Sequence, residues 1–138
     1  MLEGRIRDAK REFDLTNPDD QVSVRELAEE ILAEEPAAIA IDRESPIEAR
    51  IAGLLAESRR WVLGADSPLK VGVVFAMWGE QNRLRPQSAD NPHGENSLVT
   101  KLEQLDWLTE GSPIEWRLYA VDDGCPHGSA AIAAGIAQ

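Results

Sequence analysis

An acidic pair, Asp122-Asp123, directly follows the apolar run Trp116-Arg117-Leu118-Tyr119-Ala120-Val121 and is closed by Gly124. Such a run is typical of a β-strand. Because ligands of open α/β sheets bind at the carboxyl ends of the strands, the pair occupies a position where a ligand would bind. An ionised carboxylate acts only as a hydrogen-bond acceptor, which suits a ligand N–H group. The alternative is a simple turn, since Asp forms local backbone hydrogen bonds and Gly adopts positive φ.

A second group of candidates follows the earlier run Val71-Gly72-Val73-Val74-Phe75-Ala76. Trp78 offers an aromatic surface on which a flat ligand could stack, although a core or interface role is equally compatible with the sequence. Glu80 adds a carboxylate, and a solvated loop charge is the alternative there.

Cys125 and His127 suggest a different chemistry. A thiol near a helix N-terminus with a histidine close by can become an activated nucleophile. No orienting third group is evident, and Pro126 restricts their approach. One cysteine and two histidines, His93 and His127, do not fit the spacing of a structural zinc site, so no metal site is predicted in this chain. Gly124 and Gly128 match no phosphate-binding loop.

Two apolar runs separated by a helical pattern predict one parallel βαβ unit, because parallel neighbours require a crossover connection. The first strand spans about residues 70–76, and its continuous apolar character predicts cover on both faces. A polar segment at residues 81–94 follows, and long loops of this kind are usually functional or disordered. The crossover helix has Leu98, Leu102, Leu105 and Leu108 on one face, ends near Gly111, and leads into a second strand at about residues 114–121.

These residues resemble the opening βαβ unit of inverting family 2 glycosyltransferases, which have the GT-A (Rossmann-like, nucleotide-diphospho-sugar transferase) fold. The resemblance rests on three segments: Val71 to Glu80, the helix opening at Gly94-Glu95-Asn96, and Leu118 to Cys125. It covers roughly the second half of the chain. In the family, the first strand ends in a proline-x-tyrosine-asparagine-glutamate type turn and the second in valine-aspartate-aspartate-glycine-serine.

The resemblance implies a nucleotide-diphosphate sugar as the ligand. Asp123 matches the aspartate that accepts a hydrogen bond from the uracil N–H, and Asp122 is its neighbour in the motif. Trp78 matches an aromatic that stacks on the base, Ala76 lines the same pocket, and Glu80 matches an acidic position after the turn. Three features differ from the family: Gly79 replaces asparagine, Cys125 replaces serine, and residues 81–94 are an insertion.

The family's Mg²⁺ or Mn²⁺ is held by an aspartate-x-aspartate motif on a later strand, so the resemblance places the metal ligands outside this chain. We therefore expect a truncated N-terminal piece of a longer, metal-dependent enzyme. By itself, such a piece would bind nucleotide without transferring sugar.

The first half of the chain predicts a helical leader. Leu2 to Phe13 suggests a short helix, and Ser23-Val24-Arg25-Glu26 and Ser45-Pro46-Ile47-Glu48 both read as capping boxes. Leu27, Ala28 and Ile31 form one apolar stripe, and a second contains Ile47, Ile51, Leu54, Leu55, Trp61 and Val62. Stripes of this kind are usually packing faces. Gly64-Ala65-Asp66-Ser67-Pro68 marks the join, which gives a leader at residues 1–68 and an α/β part at residues 69–138.

Composition limits the class of protein. The 138 residues carry a net charge of −11, which argues against nucleic-acid partners, because phosphate binding needs clustered Lys and Arg. No apolar run reaches the roughly 18 residues of a membrane span, and the N-terminus lacks the apolar core of a secretory signal. One cysteine excludes an internal disulfide framework. We expect a cytoplasmic location.

The sequence therefore predicts an α/β protein: a helical leader followed by the nucleotide-binding part of a glycosyltransferase-like domain. The alternative is a non-enzymatic module in which the acidic helices and the βαβ unit form an interaction surface, with a homo-oligomer as one form. A thiol-dependent enzyme is the third hypothesis.

Overall fold

The fold was analysed in a computed structural model that describes residues 1–137. The chain divides into two compact units. Unit 1 spans Met1–Gly64 and is helical; unit 2 begins at Ala65 and has mixed α/β structure.

Unit 1 contains three α-helices and a short 3₁₀ turn. Helix α1 spans Leu2–Arg7, α2 spans Pro18–Ala33, and α3 spans Ile47–Leu63, with the 3₁₀ turn at Pro36–Ala38. Helices α2 and α3 pack against each other. Across residues 1–137, no helix combines the length and apolar character that crossing a bilayer would require.

Helix α2 begins earlier than the sequence predicted. The Asn17 side chain accepts hydrogen bonds from the backbone N–H groups of Asp19 and Asp20, and Pro18 occupies the first helical position. Asn is among the strongest N-cap residues, and proline loses nothing at that position. The predicted capping box at Ser23-Val24-Arg25-Glu26 is therefore wrong, because these residues lie inside the helix. The predicted stripe is confirmed: Leu27, Ala28 and Ile31 are buried.

The packing face of α3 differs from the predicted one. Ala49, Ala52 and Ala56 are fully buried, whereas Leu54 is 65% exposed and Trp61 is 86% exposed. Small side chains at this helical spacing let two helices approach closely, so the alanine face packs inward. The larger apolar side chains of Leu54 and Trp61 consequently lie on the opposite, outward part of the helix.

Glu48 does not form a capping box with Ser45. Its side chain is buried, with 3% exposure, and accepts hydrogen bonds from the Lys10 backbone N–H (2.6 Å) and the Ser23 hydroxyl. The Glu48 N–H in turn donates to the Lys10 carbonyl (3.2 Å). These bonds hold residue 10 in a non-helical segment, which explains why α1 ends at Arg7 instead of continuing to Phe13.

Unit 2 contains the predicted parallel βαβ unit. Strand β1 (Leu69–Met77) pairs in parallel with β2 (Ile114–Asp122), in a register that runs from Leu69↔Ile114 to Met77↔Asp122. Helix α4 (Ser97–Thr109) is the crossover, and α5 (Ser129–Ile136) follows β2. Gly111, at φ 78°, lies just beyond α4, as predicted.

One face of the sheet forms the core of unit 2. Met77 is buried together with Leu84, Leu98 and Ala133, and these residues pack with the partly buried Phe75, Leu102, Leu118, Ile132 and Ile136. Because α4 and α5 supply the helical members of this cluster, both helices cover the same side of the sheet. The prediction that the first strand is covered on both faces is wrong: on the other side, Val74 is 67% exposed, Tyr119 50% and Val121 49%.

The segment at residues 81–94 is a compact loop. The Asn91 amide donates to the carbonyls of Asn82 (2.9 Å) and Pro86 (3.1 Å), and Leu84 inserts into the core. Gly94 lies so close to Pro86 that a Cβ at position 94 would be 2.3 Å from the Pro86 carbonyl oxygen. The loop therefore depends on a glycine at this position.

Candidate functional site

The carboxyl edge of the parallel strand pair forms the candidate site. The last paired residues are Met77 and Asp122, and the next backbone N–H, that of Asp123, donates to the Met77 carbonyl (3.2 Å). Trp78 and Asp123 therefore both leave the sheet immediately after its last pair. Parallel pairing brings two predicted site residues from distant parts of the chain to one edge.

The two aspartates have different environments. The Asp122 carboxylate is half-buried and accepts the Cys125 backbone N–H at 2.8 Å, which is the local turn that the sequence offered as an alternative. The Asp123 side chain is exposed, and within residues 1–137 it has no hydrogen bond or ion pair. Of the two, Asp123 is thus the one whose whole carboxylate is exposed and unengaged, whereas Asp122 has one oxygen committed to the turn.

Trp78 is also open to solvent, with 63% of its surface exposed. Its ring contacts the His127 imidazole edge-to-face, with ring centroids 6.4 Å apart and an interplanar angle of 79°. An aromatic pair in this geometry is favourable, and the contact links the turn after β1 to the loop after β2. The tryptophan is exposed but has a neighbour that limits its freedom.

Two hydrogen bonds connect the turn after β1 to the loop after β2 and to the first residue of α5. The Gly79 N–H donates to the Cys125 sulfur (3.2 Å), and the Glu80 N–H donates to the Ser129 hydroxyl oxygen (3.2 Å). Cys125 and Ser129 also contact each other at 3.3 Å, and Ser129 is completely buried. We call these two residues the Cys125–Ser129 clamp. It fixes the turn that carries Trp78 against the loop that carries Asp123.

Hydrogen bonding makes the Cys125 thiol more acidic than usual. The Ser129 hydroxyl is the main cause, and the N–H groups of Gly79 and His127 add to it; together they lower the pKa of Cys125 from 9.0 to about 7. Burial acts in the opposite direction. The contact from His127 is its backbone N–H at 3.4 Å, while its imidazole lies against Trp78. The ring is therefore not arranged as a base for the thiol, so the geometry does not favour the thiol-enzyme hypothesis.

The remaining two candidates lie elsewhere on unit 2. Ala76 and Glu80 line a small cavity of about 190 Å³ that also involves Lys101. The Glu80 carboxylate pairs with Arg83 at 3.0 Å, and Arg83 pairs with Glu95 at 2.9 Å. Glu80 is therefore engaged in an ion-pair network, and the structure groups it with Ala76, apart from the exposed pair Trp78 and Asp123.

Sequence reasoning missed Ser129 and Arg83. Ser129 begins α5 and Cys125 lies four residues earlier in the preceding loop, so their closeness in sequence was the one available signal. Arg83 lies in a polar loop where nothing in the pattern distinguishes it from its neighbours.

Among residues 1–137, no three His, Cys, Asp or Glu side chains are grouped so that they could hold a metal ion.

No family model matches the chain, and no characterised protein or solved structure shows significant similarity to it.

Proposed function

We propose that unit 2 binds the nucleotide of a nucleotide-diphosphate sugar, as the nucleotide-binding part of a glycosyltransferase. One observation carries the proposal: an exposed carboxylate at Asp123 and an exposed aromatic at Trp78 leave the same edge of a parallel strand pair, joined there by the bond from the Asp123 N–H to the Met77 carbonyl. A base needs both a stacking surface and a polar partner, and these two side chains are of the right types.

The chemistry of the base defines the role of each residue. The ring N–H of uracil can donate a hydrogen bond to an ionised carboxylate, whereas the corresponding ring nitrogen of cytosine carries no hydrogen. Asp123 therefore favours a uridine nucleotide over a cytidine nucleotide. Trp78 contributes stacking, which is worth about 1–3 kcal/mol per base where it has been measured by truncation to alanine. No residue of this chain is assigned a role in metal binding or in the transfer step.

Calorimetric titration with uridine diphosphate and cytidine diphosphate tests the proposal. We expect binding of the uridine nucleotide, and a loss of about tenfold or more in affinity in Asp123→Ala, because a hydrogen bond to a charged group contributes about 1.5–3 kcal/mol. Asp106→Ala is the matched control, since it removes an exposed carboxylate from α4 and leaves the edge of the sheet unchanged.

The two nucleotides also separate specific recognition from general stacking. Asp123→Ala should lower the affinity for uridine diphosphate and leave that for cytidine diphosphate unchanged, while Trp78→Ala should weaken both. Absence of binding heat for the unmodified protein with either nucleotide, or equal affinities in Asp123→Ala and Asp106→Ala, would contradict the proposal.

A further inference from the structure

An open apolar groove lies in unit 1, alongside the outward face of α3. It has a volume of about 980 Å³, and its apolar lining includes Ile39, Ile41, Leu54 and Trp61. Leu54 and Trp61 are the exposed large apolar side chains of the lining; both come from α3 and are seven residues apart, so they lie on one face of the helix. A surface with an 86% exposed tryptophan at its rim is typical of an interaction site.

The charges on the same face have a regular arrangement. Arg50 and Glu57 also line the groove, and both side chains are exposed. Within residues 1–137, neither takes part in an ion pair or a side-chain hydrogen bond. The helical order along this face is Arg50, Leu54, Glu57 and Trp61, with spacings of four, three and four residues, which is the spacing of neighbours on a helix surface.

This arrangement is complementary to itself. A twofold axis between Gly53 and Leu54 is equidistant from Arg50 and Glu57. When two copies of α3 run antiparallel about this axis, Arg50 faces the partner's Glu57 and Glu57 faces the partner's Arg50. Leu54 then lies opposite the partner's Gly53, where the Ile41 side chain fills the space beside the backbone and offers an apolar contact, and Trp61 extends the apolar contact towards the start of the partner's α3. Isologous contacts of this kind are the commonest route to a dimer.

Overall charge favours the same face. The chain has a net charge of −11, so most surfaces of two copies repel each other. The groove is an exception: its lining contains Arg43, Arg50 and Arg60 against Asp42 and Glu57. Two copies can therefore meet there without general repulsion.

We infer that the groove face of unit 1 binds a second copy of this chain, through antiparallel pairing of α3 that places Arg50 against the partner's Glu57. This inference is independent of the proposed nucleotide binding by unit 2.

A charge-exchange experiment on the full chain tests it. Arg50→Glu places two glutamates opposite each other at both symmetric contacts, and Glu57→Arg places two arginines there. Each variant alone should self-associate at least about tenfold more weakly than the unmodified protein, because like charges in contact across an interface are strongly unfavourable. Mixed in equal amounts, the two variants regain both opposite-charge contacts and should form a heterodimer. The double variant Arg50→Glu/Glu57→Arg should form a homodimer again.

Sedimentation velocity gives the association state, and native mass spectrometry identifies the heterodimer by mass. Arg11→Glu and Glu12→Arg are the matched controls, since they make the same charge changes at exposed positions that do not line the groove and should associate like the unmodified protein. Trp61→Ala tests the apolar part of the contact without changing charge and should also weaken association. A protein that stays monomeric at every concentration overturns the inference. So do single variants that dimerise as well as the unmodified protein, or a mixture that forms no heterodimer.

Discussion

Glu48 connects three segments of unit 1, and its removal should be among the most damaging single changes there. Its buried carboxylate accepts the Lys10 backbone N–H at 2.6 Å and the Ser23 hydroxyl, and thereby ties the segment after α1 to both α2 and α3. Glu48→Ala removes both acceptors at once. The backbone bond from residue 48 to the Lys10 carbonyl remains, so the segment after α1 loses its side-chain ties and keeps that one main-chain bond.

The cost can be worked from these two bonds. A hydrogen bond to a charged group contributes about 1.5–3 kcal/mol, and a donor left unsatisfied costs about 1–3 kcal/mol. Removing the carboxylate also removes the desolvation cost of burying its charge, which offsets part of the loss. We therefore expect Glu48→Ala to lower the free energy of unfolding of unit 1 by about 2–4 kcal/mol. For a unit of 64 residues, this corresponds to a fall in Tm of roughly 15–30 °C.

Glu48→Gln is the matched variant. Its amide oxygen can accept the Lys10 N–H, and its NH₂ group can donate to the Ser23 oxygen, because a hydroxyl serves as donor or acceptor. Both partners remain satisfied, so Glu48→Gln should retain more than half of the stability that Glu48→Ala loses. Ser23→Ala, which removes one bond and leaves the other, should cost about 1.5 kcal/mol, the lower end of the range for a bond to a charged group.

Amide hydrogen exchange read by mass spectrometry measures the effect within each unit. Protection should fall in peptides from α2 and α3 in Glu48→Ala, while peptides from β1 and β2 serve as an internal reference. Unchanged protection in unit 1, or an equal loss in the alanine and glutamine variants, would refute the assignment of Glu48 as a hydrogen-bonded connector.

Two further predictions concern unit 2. Gly94→Ala should destabilise it by about 1–3 kcal/mol in urea unfolding, since a Cβ at position 94 would lie 2.3 Å from the Pro86 carbonyl oxygen. Gly135→Ala, on α5 with open space around it, should leave the stability unchanged or raise it by up to about 1 kcal/mol. If both substitutions changed the free energy of unfolding in the same direction, the close packing of Gly94 against Pro86 would be contradicted. The second prediction follows from the lowered pKa of Cys125: the folded thiol releases its proton before the unfolded one, so its stabilising effect should grow from about pH 7 to pH 9 and be lost below pH 7. Urea midpoints of the unmodified protein and Cys125→Ser should therefore diverge as the pH rises, and a constant difference would show that thiolate formation is not coupled to folding.

The parallel βαβ unit could be predicted because local and global preferences agree in it. The β-branched run at Val71–Val74 favours a strand, the leucines from Leu98 to Leu108 repeat with helical spacing, and Gly111 supplies the positive φ that ends the helix. Each signal is local, and parallel pairing is the one arrangement that a crossover helix of this length allows. Nothing local, in contrast, indicates that both helices cover the same face of the sheet.

Unit 1 was predicted less well, because its packing depends on small residues. In the sequence of α3, the large apolar side chains of Leu54 and Trp61 suggest the packing face. In the structure, Ala49, Ala52 and Ala56 form the buried face instead. Alanine buries little area on its own but permits a short distance between helices, and this benefit is visible only when the partner helix is in place. Leu54 and Trp61 therefore lie on the outward face of α3, which is the surface that we infer binds a second copy of the chain.

In the candidate site, too, some features follow from neighbouring residues in the sequence and others only from the pairing of distant segments. Asp122 and Asp123 are adjacent in sequence, and the sequence alone left open which carboxylate forms the local turn. In the structure the Asp122 carboxylate accepts the N–H of Cys125, three residues on, whereas Asp123 has Pro126, which carries no N–H, at the same spacing and is left exposed beside the end of β1. The Cys125–Ser129 clamp then joins the two exit loops through Gly79 and Glu80. The strand register supplies the long-range part: it sets the Asp123 N–H against the Met77 carbonyl, so that Trp78 and Asp123 leave the sheet at the same edge, and the geometry proposed for nucleotide binding depends on that pairing.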